Sequence, residues 1–339
     1  MPDATLSALG WDATFADAFA PFADRGCQPG RVARTDRGAC TVLTPAGPIR
    51  VTTREGPAVG DWVALGEGST IAGVLPRRSA FVRREAGDRI AEQVVAANID
   101  SVFLVASLAD SWRPRRLERY LAVGWQSGAT PVIVLTKPDL CPSVDQAVAE
   151  AEAVAIGTPV HVVNPKSGEG VDGLRGYASD GSTVALLGLS GVGKSTIVNA
   201  LAGEERAATG DIRSDGKGRH TTTHRELMLL PGGGVIIDTP GLRGLALWEA
   251  AEGLERAFAD VEELASACRF SDCGHNGEPG CAIAGAVAEG LLSEDRVASW
   301  RKLQREAEWV EHRREAAYAA EQRKLWKQRV RDAGPTRIR

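Results

Sequence analysis

Val184-Ala185-Leu186-Leu187-Gly188-Leu189-Ser190-Gly191-Val192-Gly193-Lys194-Ser195-Thr196 reads as a buried strand, a glycine-rich turn and the start of a helix. The turn matches G-x-x-x-x-G-K-[ST] in full, in the strand–loop–helix context that this motif needs. Its glycines let backbone N–H groups wrap phosphates. Lys194 is placed to reach the β- and γ-phosphates, and the Ser195 hydroxyl to ligate Mg²⁺. The phosphate contacts expected here are Gly188, Ser190, Gly191, Val192, Gly193, Lys194, Ser195 and Thr196.

About fifty residues upstream, Thr136-Lys137-Pro138-Asp139 caps another apolar run, residues 131–135. An Asp carboxylate at a strand end can accept hydrogen bonds from guanine N1–H and N2–H₂, which adenine does not offer, while the Lys137 stem lies across the base. A third run, 159–163, ends before Asn164-Pro165-Lys166-Ser167-Gly168, where a second base-contacting loop belongs, with Lys166 as its expected contact. In an ordinary P-loop GTPase the base-selecting motif follows the phosphate loop; here it precedes it.

Downstream, Asp238-Thr239-Pro240-Gly241 ends the run 235–237. Asp238 can hold Mg²⁺ through water and the Gly241 amide can sense a γ-phosphate. Between the two motifs lies Gly216-Lys217-Gly218-Arg219-His220-Thr221-Thr222-Thr223-His224, suited to a first switch that closes a threonine hydroxyl on Mg²⁺. Which threonine does so is left open, with Thr222 the first choice. Leu242 stands where many small GTPases carry a water-orienting Gln, so slow intrinsic turnover is expected, with His220 a candidate helper.

Apolar runs at 101–106, 131–135, 159–163, 183–187 and 235–237 alternate with helical patterns at 115–126, 144–155 and 194–201. That texture predicts a doubly wound, mostly parallel sheet. Before it, a helical lead-in to about residue 24 precedes short β-like runs at 31–35, 39–44, 49–53, 61–65 and 70–75, which suggest a small β-barrel. Arg77-Arg78-Ser79-Ala80-Phe81-Val82-Arg83-Arg84 reads as a solvated basic linker. After Gly241 the chain turns helical, with a long charged pattern over 294–331.

Cys268, Cys273, His275 and Cys281 interrupt that helical region with three thiolates and one imidazole in a Gly- and Pro-rich loop. The set suits closed tetrahedral Zn²⁺, and the loop would need a metal for order. Cys27, Cys40 and Cys141 are scattered and read as inert thiols. Composition is that of a soluble globular protein, 43% apolar and 25% charged. No stretch approaches the roughly 18 apolar residues of a membrane span, and an N-terminus holding Asp3, Asp12, Asp17 and Asp24 is no secretory signal. A cytoplasmic protein is therefore expected. The net charge of −4 hides a tail, Arg301 to Arg339, with twelve basic and six acidic residues, suggesting a polyanionic partner.

These motifs together resemble the ribosome-small-subunit-dependent GTPase A family (RsgA, also called YjeQ). The resemblance spans nearly the whole chain. It extends to Val59-Gly60-Asp61-Trp62, Leu75-Pro76-Arg77-Arg78-Ser79, Ala97-Asn98-Ile99-Asp100, Leu117-Glu118-Arg119-Tyr120-Leu121 and Gly218-Arg219-His220-Thr221-Thr222-Thr223. It implies an OB-fold with its lead-in over 1–84, a circularly permuted GTPase domain over 85–246, and a helical zinc-binding domain over 247–339. It also implies GTP hydrolysis stimulated by the small ribosomal subunit, a role in late maturation of that subunit, rRNA contacts, GTP/GDP, Mg²⁺ and Zn²⁺ as ligands, and a monomer. Two positions depart from the family pattern. Thr136 replaces an Asn, and Asn164-Pro165 replaces Ser-Ala, removing a backbone N–H that would meet guanine O6, for which Lys166 N–H is a possible substitute. Guanine preference through Asp139 with weaker base contacts is the expectation. The rival readings are a P-loop kinase acting on a small molecule, and a zinc-dependent RNA-binding module with a vestigial nucleotide site.

Overall fold

The computed structural model describes residues 6–53, 56–84, 92–109, 112–204, 226–238 and 251–332. Its spine is one mixed sheet of eleven strands among the described residues. Strands β8 (Ser101–Ser107), β9 (Thr130–Thr136), β10 (Val160–Val163), β11 (Thr183–Leu187) and β13 (Val235–Asp238) run parallel in the order β10-β9-β8-β11-β13. Strand β12 (Glu226–Leu229) adds antiparallel beside β13.

The strands are apolar on both faces because helices cover both. From β8, Val102 and Leu104 enter one core and Phe103 and Val105 the other; Ile133 and Leu135 of β9 likewise oppose Val132 and Val134. This period-2 division is what a doubly wound sheet demands. The first core takes α2 (Pro114–Gln126) and α3 (Val144–Val154), the second α4 (Asp172–Arg175) and α5 (Lys194–Ala202). Helix α2 opens on Pro114, whose missing N–H costs nothing at a first helical position.

Strands β1 (Gln28–Asp36), β2 (Ala39–Thr44), β3 (Gly47–Thr52), β4 (Trp62–Gly66) and β5 (Thr70–Val74) pair antiparallel in the order β3-β2-β1-β4-β5. They enclose a small separate core of Val32, Cys40, Val42, Val51, Val63 and Leu65, and burial pushes the Cys40 thiol up. Helix α1 (Ala13–Ala23), N-capped by Asp12, leans on Trp62 through Phe15. The unit joins the large sheet where Arg34 of β1 pairs with Glu226 of β12.

The basic run 77–84 departs from its reading as a solvated linker. Residues Ala80–Arg84 form β6, paired with β7 (Glu92–Ala97). Arg77 makes a bidentate pair with the fully buried Asp61, both bonds 2.7 Å. Arg78 bonds Asp12 and lies over the Phe15 ring, 4.0 Å from its centroid. Arg31, 1% exposed, donates to the carbonyls of Leu9, Gly60 and Asn98. Burial pulls its pKa down to about 10, still charged at neutral pH. Asn98 Nδ2 donates to Gly60 O at 3.1 Å, and the Ser79 hydroxyl bonds Ile99 at 2.7 Å. The motifs 59–62, 75–79 and 97–100 thus meet in one buried polar joint between the barrel strands and the large sheet.

Helices α6 (Ala251–Ala257), α7 (Ala259–Ser266), α8 (Ala282–Ala288) and α9 (Glu294–Asp332) follow. The 39 residues of α9 span about 58 Å at 1.5 Å per residue. No helix among the described residues is long and apolar enough to cross a membrane.

Candidate functional site: a nucleotide cradle and a Cys/His cluster

The parallel strands end together, so the loops after β8, β9, β10 and β11 share one edge of the sheet. Ligand crevices of open α/β sheets form at such carboxyl ends. The loop 188–193 leaves β11 at Gly188, where a Cβ would sit 2.3 Å from the Val105 carbonyl of β8; only glycine permits that approach. Ser190 and Gly191 are exposed, Val192 is buried, and Ser195 and Thr196 lie in the first turn of α5. Lys194 Nζ donates to the carbonyls of Gly188 at 2.9 Å and Leu189 at 2.6 Å, so the cation already sits within the loop.

The base motif is bonded to this loop. The Thr136 hydroxyl, fully buried, donates to Val192 O at 2.5 Å. Lys137, in the left-handed region at φ 58, sends Nζ to Gly191 O at 2.7 Å. Two consecutive residues of the β9 end therefore hold two consecutive carbonyls of the phosphate loop, 54 and 56 positions away in sequence. Thr136 lacks an amide, but its hydroxyl provides a short tie to the loop.

Asp139 is exposed at the same edge. Its Oδ1 accepts from Asn164 Nδ2 at 3.3 Å, and Asn164 Oδ1 accepts the Lys166 N–H at 3.2 Å. Asn164 thus links the two base loops, a role that sequence reading did not assign to it, although it stands beside the expected contact Lys166. The Lys166 N–H, expected from the sequence as a substitute donor for O6, is engaged with Asn164 in this arrangement.

Asp238 closes β13, which lies on the other side of β11 from β8 and β9. Burial pushes its carboxyl up from the ordinary carboxylate range, and the Lys194 charge partly offsets this. A carboxylate that is costly to ionise alone suits a site where a cation joins it. His220, Thr222 and Gly241 lie outside the described residues.

The second centre sits between α7 and α8. The ligand atoms of Cys268, Cys273, His275 and Cys281 all lie within 4.8 Å of one another. Cys268 Sγ is 3.4 Å from His275 Nδ1 and 4.0 Å from Cys281 Sγ, and Cys281 Sγ is 3.8 Å from His275 Nδ1. A tetrahedron with zinc–sulfur bonds of 2.3 Å has edges of about 3.8 Å, so the residues fit zinc. The Ala282 and Ala284 N–H groups point at Cys268 and Cys281 sulfurs, 3.3 and 3.4 Å away. Desolvation opposes ionisation of Cys268, yet the backbone N–H groups of Ala282 and Ile283 help hold its thiol below the ordinary value.

Helix α9 packs across α2, α6 and α7, beside the Cys/His set. Arg296, 4% exposed, bonds Glu118 of α2, Asp260 of α7 and the carbonyls of Val154 and Ala257. Its guanidinium also covers the Phe258 ring, 4.4 Å from the centroid. Further along, Arg119 of α2 pairs with Glu306.

A family model described as RsgA GTPase matches residues 74–248. The small ribosomal subunit biogenesis GTPase RsgA of Streptomyces coelicolor is 48% identical over 339 aligned residues, covering 96% of this chain and 92% of that protein. The protein of the same name from Opitutus terrae is 46% identical, covering 95% of each chain. Among solved structures, YjeQ from Thermotoga maritima superposes with a TM-score of 0.62 at 26% identity, covering 83% of this chain and 98% of that one. YloQ, described as a circularly permuted GTPase, superposes with a TM-score of 0.61 at 24% identity, covering 83% and 95%, and shows the shared fold.

Proposed function

The chain belongs to the RsgA GTPase family, and from that premise we propose that it hydrolyses GTP to GDP and phosphate as a release timer in late maturation of the small ribosomal subunit. The observation that carries this reading is the 2.5 Å bond from Thr136 to Val192 O. It welds a guanine-selecting motif to a phosphate loop even though the two occur in inverted order along the chain.

In this reading Asp139 meets the N1–H and N2–H₂ edge of guanine, the Lys137 stem lies across the base, and the Lys166 N–H is the substitute donor for O6. Gly188, Ser190, Gly191, Val192, Gly193, Lys194, Ser195 and Thr196 hold the phosphates. Ser195 and Thr222 ligate Mg²⁺, Asp238 holds it through water, and Gly241 senses the γ-phosphate. Leu242 supplies no water-orienting amide, so intrinsic turnover is slow and the subunit stimulates it, with His220 the candidate group in the chain.

The barrel strands within 1–84 act as an OB-fold and the region 247–339 as a zinc-binding domain, both against rRNA. The GTPase domain spans 85–246, and the protein works as a cytoplasmic monomer. GTP hydrolysis by the purified chain tests the assignment, with Lys194→Ala as control: turnover is expected to vanish in the variant, and unchanged turnover would overturn the site.

A further inference from the structure

The ligating loop is braced from behind by one turn of α9. His275 has a left-handed backbone, φ 57, which a non-glycine residue holds only when its surroundings insist. Two neighbours supply that insistence. The Arg301 guanidinium donates to the His275 carbonyl, and the buried Trp300 ring meets the imidazole edge-on with centroids 5.6 Å apart. Trp300 is itself fixed, its Nε1 donating to Glu262 Oε1 of α7 at 2.7 Å, where Gln304 Nε2 also bonds at 3.2 Å. The imidazole is thereby turned so that Nδ1 faces the Cys268 and Cys281 sulfurs. About one turn earlier on the same helix, Arg296 bonds Glu118 of α2.

We propose that Arg301 is a positioning residue for the metal ligand His275, and that metal retention by the Cys/His set is linked to the docking of α9 on α2. The proposal rests on the reading of that set as a zinc site. Ligating imidazoles need outer contacts to keep their orientation, and losing such a contact commonly costs 10- to 100-fold in metal affinity. Linkage runs both ways: the metal fixes His275, His275 seats residues 300–304, and that turn continues into the residue that bonds α2.

The test uses the full chain loaded with zinc, and separately with cobalt. Zinc transfer to a chromogenic chelator and the visible cobalt spectrum are recorded for wild type, Arg301→Ala, Arg301→Lys and Arg305→Ala. Hydrogen exchange in residues 114–126 is followed in wild type with and without zinc. Arg301→Ala is expected to release zinc 10- to 100-fold more readily and to shift the cobalt bands. Lys should restore part of the retention, Arg305→Ala none of the defect, and nucleotide binding should stay unchanged. Zinc removal should raise exchange in 114–126. Wild-type retention in Arg301→Ala, or exchange in 114–126 that ignores zinc, overturns the proposal. A wild-type chain that takes up neither metal overturns the zinc reading itself and the proposal with it.

Discussion

Arg296 and Glu118 stand 178 positions apart in the chain, yet Nη1 and Oε1 lie 2.9 Å apart in the interior, with side chains 5% and 0% exposed. A buried pair contributes little net stability when complete, but removing one partner strands the other charge. Here removing Glu118 would leave Arg296 with Asp260 as its remaining carboxylate, at the meeting point of α2, α3, α6 and α7.

Glu118→Ala should therefore destabilise the fold by about 1.5–3 kcal/mol, the loss of a charged hydrogen bond in the interior while Asp260 still pairs with Arg296. Burial disfavours the Arg296 cation, yet its bonds to Asp260 and Glu118 raise the pKa overall, so the residue does not escape by losing its proton. Urea denaturation of Glu118→Ala beside Glu118→Gln checks this, the amide oxygen still accepting from Arg296 and so keeping part of the stability.

Thr136→Val keeps the shape of β9's last residue but removes the donor to Val192 O. One hydrogen bond is worth roughly 1 kcal/mol, so GTP is expected to bind about fivefold more weakly, read by titration of a fluorescent GTP analogue. A wild-type affinity would mean that the loop holds its form without the base motif.

Much of this site is legible in the sequence because its chemistry is local. The phosphate loop, Thr136-Lys137-Pro138-Asp139 and the Cys/His set are short motifs whose spacing carries the mechanism. The helix over 294–331 and the strand 183–187 follow from periodicity alone. What stays hidden depends on distant partners. Arg296 looks like any charged helix residue until Glu118 arrives, and Arg77, at the surface as its charge suggests, shows its pairing only once the buried Asp61 is seen opposite it. Strands β7 and β12 lack a strong pattern of their own and are defined by the strands they pair with.

Pro165→Ala restores a backbone N–H at the second base loop. If guanine O6 lies within reach, GTP affinity should rise about fivefold, roughly 1 kcal/mol, while ATP, whose N6 is a donor, gains nothing. Parallel GTP and ATP titrations decide it, and an unchanged ratio would remove O6 from the account.

Burial raises the Asp238 pKa in the folded chain, so folding favours the protonated acid. Its ionised form costs stability above the folded pKa, and that cost fades as pH falls toward the ordinary carboxylate value. Asp238→Asn should then stabilise the nucleotide-free chain at neutral pH, less so at mildly acid pH, while ending Mg²⁺-dependent turnover. Paired denaturation curves at two pH values measure the difference, and a stabilisation that grows on acidification would contradict it.

The most direct measurement is nucleotide turnover by the purified chain with and without small ribosomal subunits, with ATP in parallel. Slow GTP hydrolysis that the subunits accelerate is expected, with no comparable ATP hydrolysis. GTP turnover indifferent to the subunits, or an equal rate with ATP, would contradict the proposed function.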